Sequence, residues 1–258
     1  MGEAMLSALL DKRIGAPQDM VVSDVAESRR QHIKQKYRVG VTGDNQLAIS
    51  RAEVVVLAIK PQNLAGVTAD LMGQLRPTQL VLSIVAGATL HTLCSGLDHR
   101  CVVRAMPNTP AQIGEGTTVW TATPDVTERH KSWASSILGA MGKEIFVSDE
   151  KYIDMATAVS GSGPAYFFLF VEALVEAAGQ IGLPRDMAQE LVLRTMLGSG
   201  HFIQESGKEP AELRRMVTSP GGTTAEAVRE LEKGGFADLI TRAVRAAYDK
   251  ARRLGGRQ

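Results

Sequence analysis

The sequence predicts an α/β domain followed by an all-α domain. Three observations carry that reading. Short apolar runs alternate with helical stretches up to about Asp149. From Tyr152 to the end the apolar residues recur at helical spacing, with no convincing strand. Prolines and glycines in that second part sit where helices begin and stop.

In chain order, Leu6 to Asp11 reads as a helix, and Met20 to Ser23 is a short apolar run ending in Asp24. Ala26 to Tyr37 is helical, and Gly40 to Thr42 is a weak extended segment. Glu53 to Ile59 is a continuous apolar run, the mark of a strand buried on both faces. Leu80 to Val85 repeats that signal after the helical stretch Leu64 to Leu75, and Cys101 to Ala105 repeats it more weakly. A strand over Thr117–Thr121, a helix over Asp125–Met141 and a strand over Glu144–Val147 complete the first part. Strand–helix alternation of this kind predicts a parallel sheet with helices on both faces. In the second part Pro164 and Pro184 mark helix starts, where the missing N–H is not needed. Gly207 and Gly234–Gly235 mark helix ends. These helices carry many apolar residues and need a partner surface, so dimerisation through this part is expected.

The chain has 258 residues, 44% of them hydrophobic and 22% charged, enough for one large domain or two ordinary ones. A net charge of +1 supplies no field for nucleic acid or an acidic membrane. The most hydrophobic stretch, Ala165 to Ile181, is broken by Glu172 and Glu176, so it is expected to be a buried helix and not a membrane span. Glu3 and Asp11 stand where an export signal would carry basic residues. Cys94 and Cys101 are the only cysteines and form no metal or redox spacing, so a reducing cytoplasm is the expected setting.

Several loops carry candidate chemistry. A dinucleotide-binding, Rossmann-type fold starts with an apolar strand, a Gly-x-Gly-x-x-Gly turn and a helix. Gly2 at the start of the first helix reads either as the third glycine of that turn or as an ordinary N-terminal residue. On the first reading the strand and the first two glycines would lie before Met1, and Asp24 follows at the spacing of about 20 residues expected for a ribose-binding acid. Ala58-Ile59-Lys60-Pro61 and Val85-Ala86-Gly87 follow two of the strands, where open α/β sheets bind ligands. Lys60 is a phosphate ligand or a solvated loop lysine. Arg104 to Pro110 ends another strand. Its Asn108 offers a donor and an acceptor suited to a carboxamide, or sits in an ordinary turn.

The strongest local signal is Val217-Thr218-Ser219-Pro220-Gly221-Gly222-Thr223-Thr224, ahead of a helix from Ala225 to Lys233. Its hydroxyls and its helix start suit a carboxylate. The alternative is a helix cap at Thr223 or Thr224, which explains one hydroxyl but not the paired glycines. Ser160 to Pro164 is a lid or a hinge. No histidine pair has metal-ligand spacing, and no metal is expected.

Taken together, the run from Pro210 to Glu232, the Arg104–Pro110 loop, the Ser160–Tyr166 loop and the Ala58–Pro61 turn resemble the pyrroline-5-carboxylate reductase family over essentially the whole chain. The resemblance implies a Rossmann-type dinucleotide-binding domain over 1–150 and an all-α dimerisation and substrate-binding domain over 151–258. It implies a homodimer, assembled further in some members into a decamer. It implies hydride transfer from NADPH, in some members NADH, to the cyclic imine pyrroline-5-carboxylate, giving proline in an active site between the domains. Matched cofactor positions are Ser23, Asn45, Ala58, Ile59, Lys60, Pro61, Val85 and Ala86, with Asn108 near the nicotinamide. Matched substrate positions are Glu205, Thr218, Ser219, Gly222, Thr223 and Thr224, with Thr224 hydrogen-bonded to the imine nitrogen. Against the family pattern, the first strand and glycine turn are missing, and Asp24 is expected to disfavour the 2′-phosphate of NADPH unless Arg29 or Arg30 offsets it. A non-catalytic paralogue and a reductase of another cyclic imino acid are the alternatives.

Overall fold

The computed structural model describes residues 1–256. These divide into two compact units: Met1–Pro164 with the chain from Ala246 onward, and Ala165–Arg245. Lys151–Pro164 and the end of the last helix thus belong with the α/β part.

The first unit opens with helix α1 (Gly2–Asp11), strand β1 (Val21–Ser23), α2 (Glu27–Tyr37), β2 (Gly40–Thr42) and α3 (Asn45–Ile49). It continues through β3 (Val54–Leu57), α4 (Leu64–Leu71), β4 (Leu80–Ser83), α5 (Leu90–Leu97) and β5 (Val102–Met106). Then come β6 (Gly116–Ala122), α6 (Glu128–Gly139), β7 (Gly142–Phe146) and α7 (Lys151–Ala156). The strands form two sheets, β1-β2 and β3-β4-β5-β6-β7. Neighbours are parallel except β5 and β6, which are antiparallel, so the all-parallel expectation fails at one pairing. Apolar runs cannot show direction. The β5–β6 connection is a single short 3-10 turn over Thr109–Ile113, too brief to cross back for a parallel partner.

The core follows from the apolar runs. Leu80, Val81, Leu82, Val102 and Val103 have no exposed surface, and Leu93, Leu97, Leu138 and Met141 close over the two faces of the sheet. Parallel-ladder alternation turns the N–H and C=O groups of Val54 and Val56 to the β3 edge away from β4. It turns those of Val21 and Ser23 to the β1 edge away from β2. Among the described residues no strand pairs with either edge.

Two tight features hold this unit. Gly116 and Gly142 face each other where β6 and β7 begin. Gly142 has φ of 133°, and an added Cβ would lie 2.2 Å from the Gly116 carbonyl oxygen. Gly142→Ala should therefore cost about 3 kcal/mol or more, from backbone strain and overpacking together, read as a lowered midpoint in urea unfolding.

Glu3, in the first turn of α1, accepts from Lys36 Nζ at 2.9 Å, Tyr37 OH at 2.8 Å and His32 Nε2 at 3.3 Å, and pairs with Arg29. The Lys36 bond, ahead of those from Tyr37, Arg29 and His32, holds its carboxyl far below the ordinary value of 4.5 despite partial burial. A folded pKa below the unfolded one gives stability that is present above the unfolded value and lost as pH falls through the folded one. Glu3→Gln should cost about 1–2 kcal/mol near neutral pH, and the gap to the native chain should close in acid as the native carboxyl protonates.

The second unit is helical: α8 (Gly163–Gln180), α9 (Arg185–Ser206), α10 (Pro210–Met216), α11 (Thr223–Lys233) and α12 (Phe236–Leu254), with α8 and α12 shared with the first unit. Gly207 ends α9 in the left-handed region at φ 62°, as its position after the last helical residue predicts. Pro184 caps α9, and Pro164 is the second residue of α8.

Two expectations are corrected. Ser160–Pro164 is not a loop: α7 passes through a π-helical turn, Thr157–Gly161, closed by the Ser162 N–H to the Thr157 carbonyl at 2.8 Å, and runs on into α8. The apolar stretch is not buried in the single chain, because Phe167, Phe168, Leu169 and Phe170 are all exposed. Lys151–Gln180 is also 30 residues of continuous helix with hydropathy 1.4, so by length and composition alone it could cross a membrane. Hydrophobicity read along a sequence does not say what covers it.

Candidate functional site

The candidate cofactor residues lie where strand direction puts them, at or just beyond the carboxyl ends of their strands. Ser23 ends β1 and Asn45 opens α3 after β2. Ala58–Pro61 follow β3, Val85 and Ala86 follow β4, and Asn108 follows β5. Ser23 Oγ donates to Asn45 Oδ1 at 2.8 Å, and Asn45 Nδ2 donates to Asp70 Oδ2 at 2.9 Å, so the first two are joined and braced. Ala58, Lys60 and Pro61 are exposed, Ile59 and Ala86 half-buried, and Val85 buried. The Val85 N–H donates to Ser83 Oγ at 3.3 Å and its carbonyl accepts the Ala88 N–H at 3.2 Å, so of this pair Ala86 is the residue with surface to offer a ligand.

Gly2 begins α1, and a Cβ added there would lie 3.0 Å from the Ala58 Cβ. That close approach of a helix start to the end of a strand is the task of the third glycine in a dinucleotide-binding turn. Helix start and small strand-end residues fit a pyrophosphate-bearing cofactor.

Beyond β1, Asp24 Oδ1 accepts the Ala26 N–H at 2.8 Å, and Arg30 Nη1 donates to the Asp24 carbonyl at 2.7 Å and to the Val25 carbonyl at 3.0 Å. The turn that would meet an adenosine ribose is thus shaped by one carboxylate and one guanidinium together.

Asn108 departs from its expected role. Its Oδ1 accepts the Thr117 N–H at 2.8 Å and its Nδ2 donates to the Ser160 carbonyl at 3.1 Å. Both ends of the amide are engaged within the fold, so Asn108 clamps its loop.

In the second unit, Ser219-Pro220-Gly221-Gly222 forms a tight turn closed by the Gly222 N–H to the Ser219 carbonyl at 3.0 Å, with Gly221 at φ 73°. Proline at the second position and a positive-φ glycine at the third are the requirements of a type II turn. Gly222 packs over Ser219, whose Oγ would lie 2.5 Å from an added Cβ. The turn delivers Gly222 as the N-cap of α11, with no side chain capping the helix. The helix-cap reading of Thr223 and Thr224 therefore fails: both lie inside the first turn, Thr224 half-buried and Thr223 exposed. The Ala225 and Glu226 N–H groups donate to the Gly222 carbonyl at 3.1 and 3.3 Å, which leaves those of Thr223 and Thr224 with no acceptor in the helix, at the end that carries its partial positive charge.

Thr218 is tied differently, donating its hydroxyl to the Arg214 carbonyl at 2.6 Å, so it closes α10 and keeps only acceptor capacity. Glu205 is exposed in the last turn of α9, and no hydrogen bond joins it to this loop. Cys101 Sγ lies 3.0 Å from His130 Nδ1. Burial pushes the thiols of both Cys101 and Cys94 up, so neither is activated as a nucleophile. Among the described residues no cluster could hold a metal ion.

Parallel strands presenting small residues at their carboxyl ends, a glycine-tight helix start and a separate glycine-rich turn before a helix fit the class of nicotinamide-dinucleotide oxidoreductases. Comparison with known proteins makes the class specific. Residues 150–254 match the family model for pyrroline-5-carboxylate reductase dimerisation, and residues 1–87 match the model described as NADP oxidoreductase coenzyme F420-dependent. A pyrroline-5-carboxylate reductase of Synechocystis sp. is 43% identical over 99% of this chain and 95% of its own length. One of Pseudomonas aeruginosa is 39% identical over 98% and 93%. Among solved structures, the Coxiella burnetii pyrroline-5-carboxylate reductase superposes with a TM-score of 0.88 at 36% identity, covering 98% of this chain and 94% of that one. The Plasmodium falciparum pyrroline carboxylate reductase, solved with NADP bound, gives 0.90 at 28% identity, covering 99% and 94%. The chain belongs to the pyrroline-5-carboxylate reductase family.

Proposed function

We propose that this chain reduces 1-pyrroline-5-carboxylate to proline with NADPH, holding the substrate carboxylate on the start of α11. The observation that carries this reading is the uncapped α11 start beside two glycines, within a chain of this family. The Thr223 and Thr224 N–H groups, which have no acceptor in the helix, suit a carboxylate, and the glycines let it approach the backbone. Residues 1–150 serve the cofactor and 151–258 the substrate and dimerisation.

The residues present fit the cofactor. Ser23, Asn45, the Ala58–Pro61 turn and Val85–Ala86 would hold it, with Gly2 admitting its pyrophosphate beside Ala58. When bound, NADPH supplies the hydride that goes to the imine carbon. The chain's own task is position: hydride transfer needs faces aligned more than it needs a strong acid. Thr224 Oγ hydrogen-bonds the imine nitrogen and orients the ring. The nitrogen takes its proton from solution, so no histidine or metal is required. Thr223 and Ser219 border the carboxylate, Thr218 supports the loop by closing α10 through the Arg214 carbonyl, and Glu205 is a substrate position on the family resemblance alone.

The exposed apolar residues of α8 are covered by a second copy of the chain and not by lipid. The family model over 150–254 supports a homodimer, and further assembly to a decamer in the cytoplasm follows the same resemblance. Titration with proline, followed by backbone amide NMR, tests the substrate assignment. Shifts concentrated at Gly222, Thr223 and Thr224 are expected. Shifts that leave α11 untouched would refute it.

A further inference from the structure

We propose that Arg104 is a positioning residue for hydride transfer: through Glu150 and Asp154 it seats α7 so that the π turn and Asn108 fix the loop meeting the nicotinamide. This deepens the reading above and rests on it.

Arg104 occupies the middle of β5, registered with Ser83 on β4 and Thr121 on β6, and is 2% exposed. A guanidinium there has lost its water and is costly unless paired. Its Nη1 lies 2.8 Å from Glu150 Oε1 and its Nη2 lies 2.7 Å from Asp154 Oδ1. The two carboxylates are one helical turn apart at α7, so they reach one guanidinium from one face. Glu150 Oε1 also accepts the Leu90 N–H at 2.7 Å, at the start of α5. That helix end offsets part of the second negative charge. One buried group thereby joins β5, α5 and α7.

Both chains leaving this junction arrive at the same place. Two residues beyond Arg104, β5 ends at Met106 and gives way to Pro107-Asn108-Thr109. Just beyond Asp154, α7 gives way to the π turn Thr157–Gly161. There the two meet again: Asn108 Nδ2 donates to the Ser160 carbonyl, and Gly161 faces Met106 Cε, 3.0 Å from where a Cβ would stand. π turns are uncommon and recur at functional sites. Here the widened turn presents a backbone carbonyl to the asparagine.

Apolar packing could join α7 to β5 with equal stability, because buried ion pairs seldom stabilise more than apolar residues of the same volume. What directional hydrogen bonds add is register. A slip or rotation of α7 breaks both bonds to Arg104 and withdraws Ser160 from Asn108. The loop that meets the cofactor then loses one of its two side-chain ties, the other being Thr117.

The test uses the full chain with Asp154→Asn and, separately, Arg104→Lys. Asp154→Asn is isosteric and leaves Arg104 paired with Glu150, so the buried charge is not orphaned. The native chain is assayed first with pyrroline-5-carboxylate and NADPH. The variants are then compared in kcat, KM, melting temperature and the isotope effect with NADPH deuterated at the transferred position. The proposal expects kcat to fall by about 10-fold or more with KM for the imine nearly unchanged, and a larger isotope effect, since a misplaced hydride makes its transfer slower. A lower melting temperature with unchanged kcat and isotope effect would assign the trio to stability alone and overturn the proposal. Failure of both variants to fold would do the same. No turnover by the native chain would instead refute the functional reading on which it rests, and the order of measurement keeps the two failures apart.

Discussion

Thr224→Ala should lower kcat by about 100-fold while moving the melting temperature by little. Removing one hydrogen bond aimed at a reacting group typically costs this much when the partner is positioned and partly shielded from water. The structural cost is small for a stated reason. Gly222 is the cap of α11, no side chain caps it, and Thr224 sits in the first turn, where alanine has the higher helix propensity. Thr224→Ser, which keeps the hydroxyl, should recover most of the rate. Steady-state kinetics beside thermal unfolding checks this. Full turnover with lowered stability would make Thr224 a helix residue only and remove it from the mechanism.

Asp24→Ser should raise the preference for NADPH over NADH by about 10-fold, a change of about 1.4 kcal/mol in relative binding. The carboxylate lies in the turn after β1, where it disfavours a 2′-phosphate. Serine keeps an oxygen that can accept the Ala26 N–H now held by Asp24 Oδ1, so the turn should survive. Arg30→Ala should move the ratio the other way, because Arg30 brings the positive charge to that turn and shapes it through two backbone carbonyls. Ratios of kcat/KM for the two cofactors measure both effects. An unchanged ratio in either variant would place discrimination of the adenosine end elsewhere.

The sequence made the fold legible where burial is symmetric. Val54–Leu57, Leu80–Leu82 and Val102–Val103 are apolar because helices cover both faces of their sheet, and such short runs between turn signals are what buried strands require. Direction was not legible: β6 carries the same composition whether it runs parallel or antiparallel to β5. The π turn was hidden because Ser160-Gly161-Ser162-Gly163 has the composition of a loop. Only the surrounding contacts keep it helical. The exposure of Phe167, Phe168 and Phe170 was hidden for the converse reason, since an apolar helix reads the same under its own chain or under a second copy.

The candidate site divides in the same way. Gly221, Gly222 and the threonines stood out because glycines and hydroxyls before a helix suit an anion, and the uncapped helix start supports that reasoning. The clamp role of Asn108 and the helix-closing role of Thr218 depend on which backbone group each side chain finds. The trio of Arg104, Glu150 and Asp154 joins residues 46 and 50 positions apart. A buried arginine in an apolar strand was its only sequence signal, and such a residue requires partners without naming them.

The central claim is that this chain reduces pyrroline-5-carboxylate with a nicotinamide cofactor, and its most direct test is to mix the purified chain with that imine and NADPH or NADH. The account predicts that reduced nicotinamide is consumed only when the imine is present, with proline formed in equal amount. No consumption of either cofactor, by protein shown to be folded and dimeric, would contradict it.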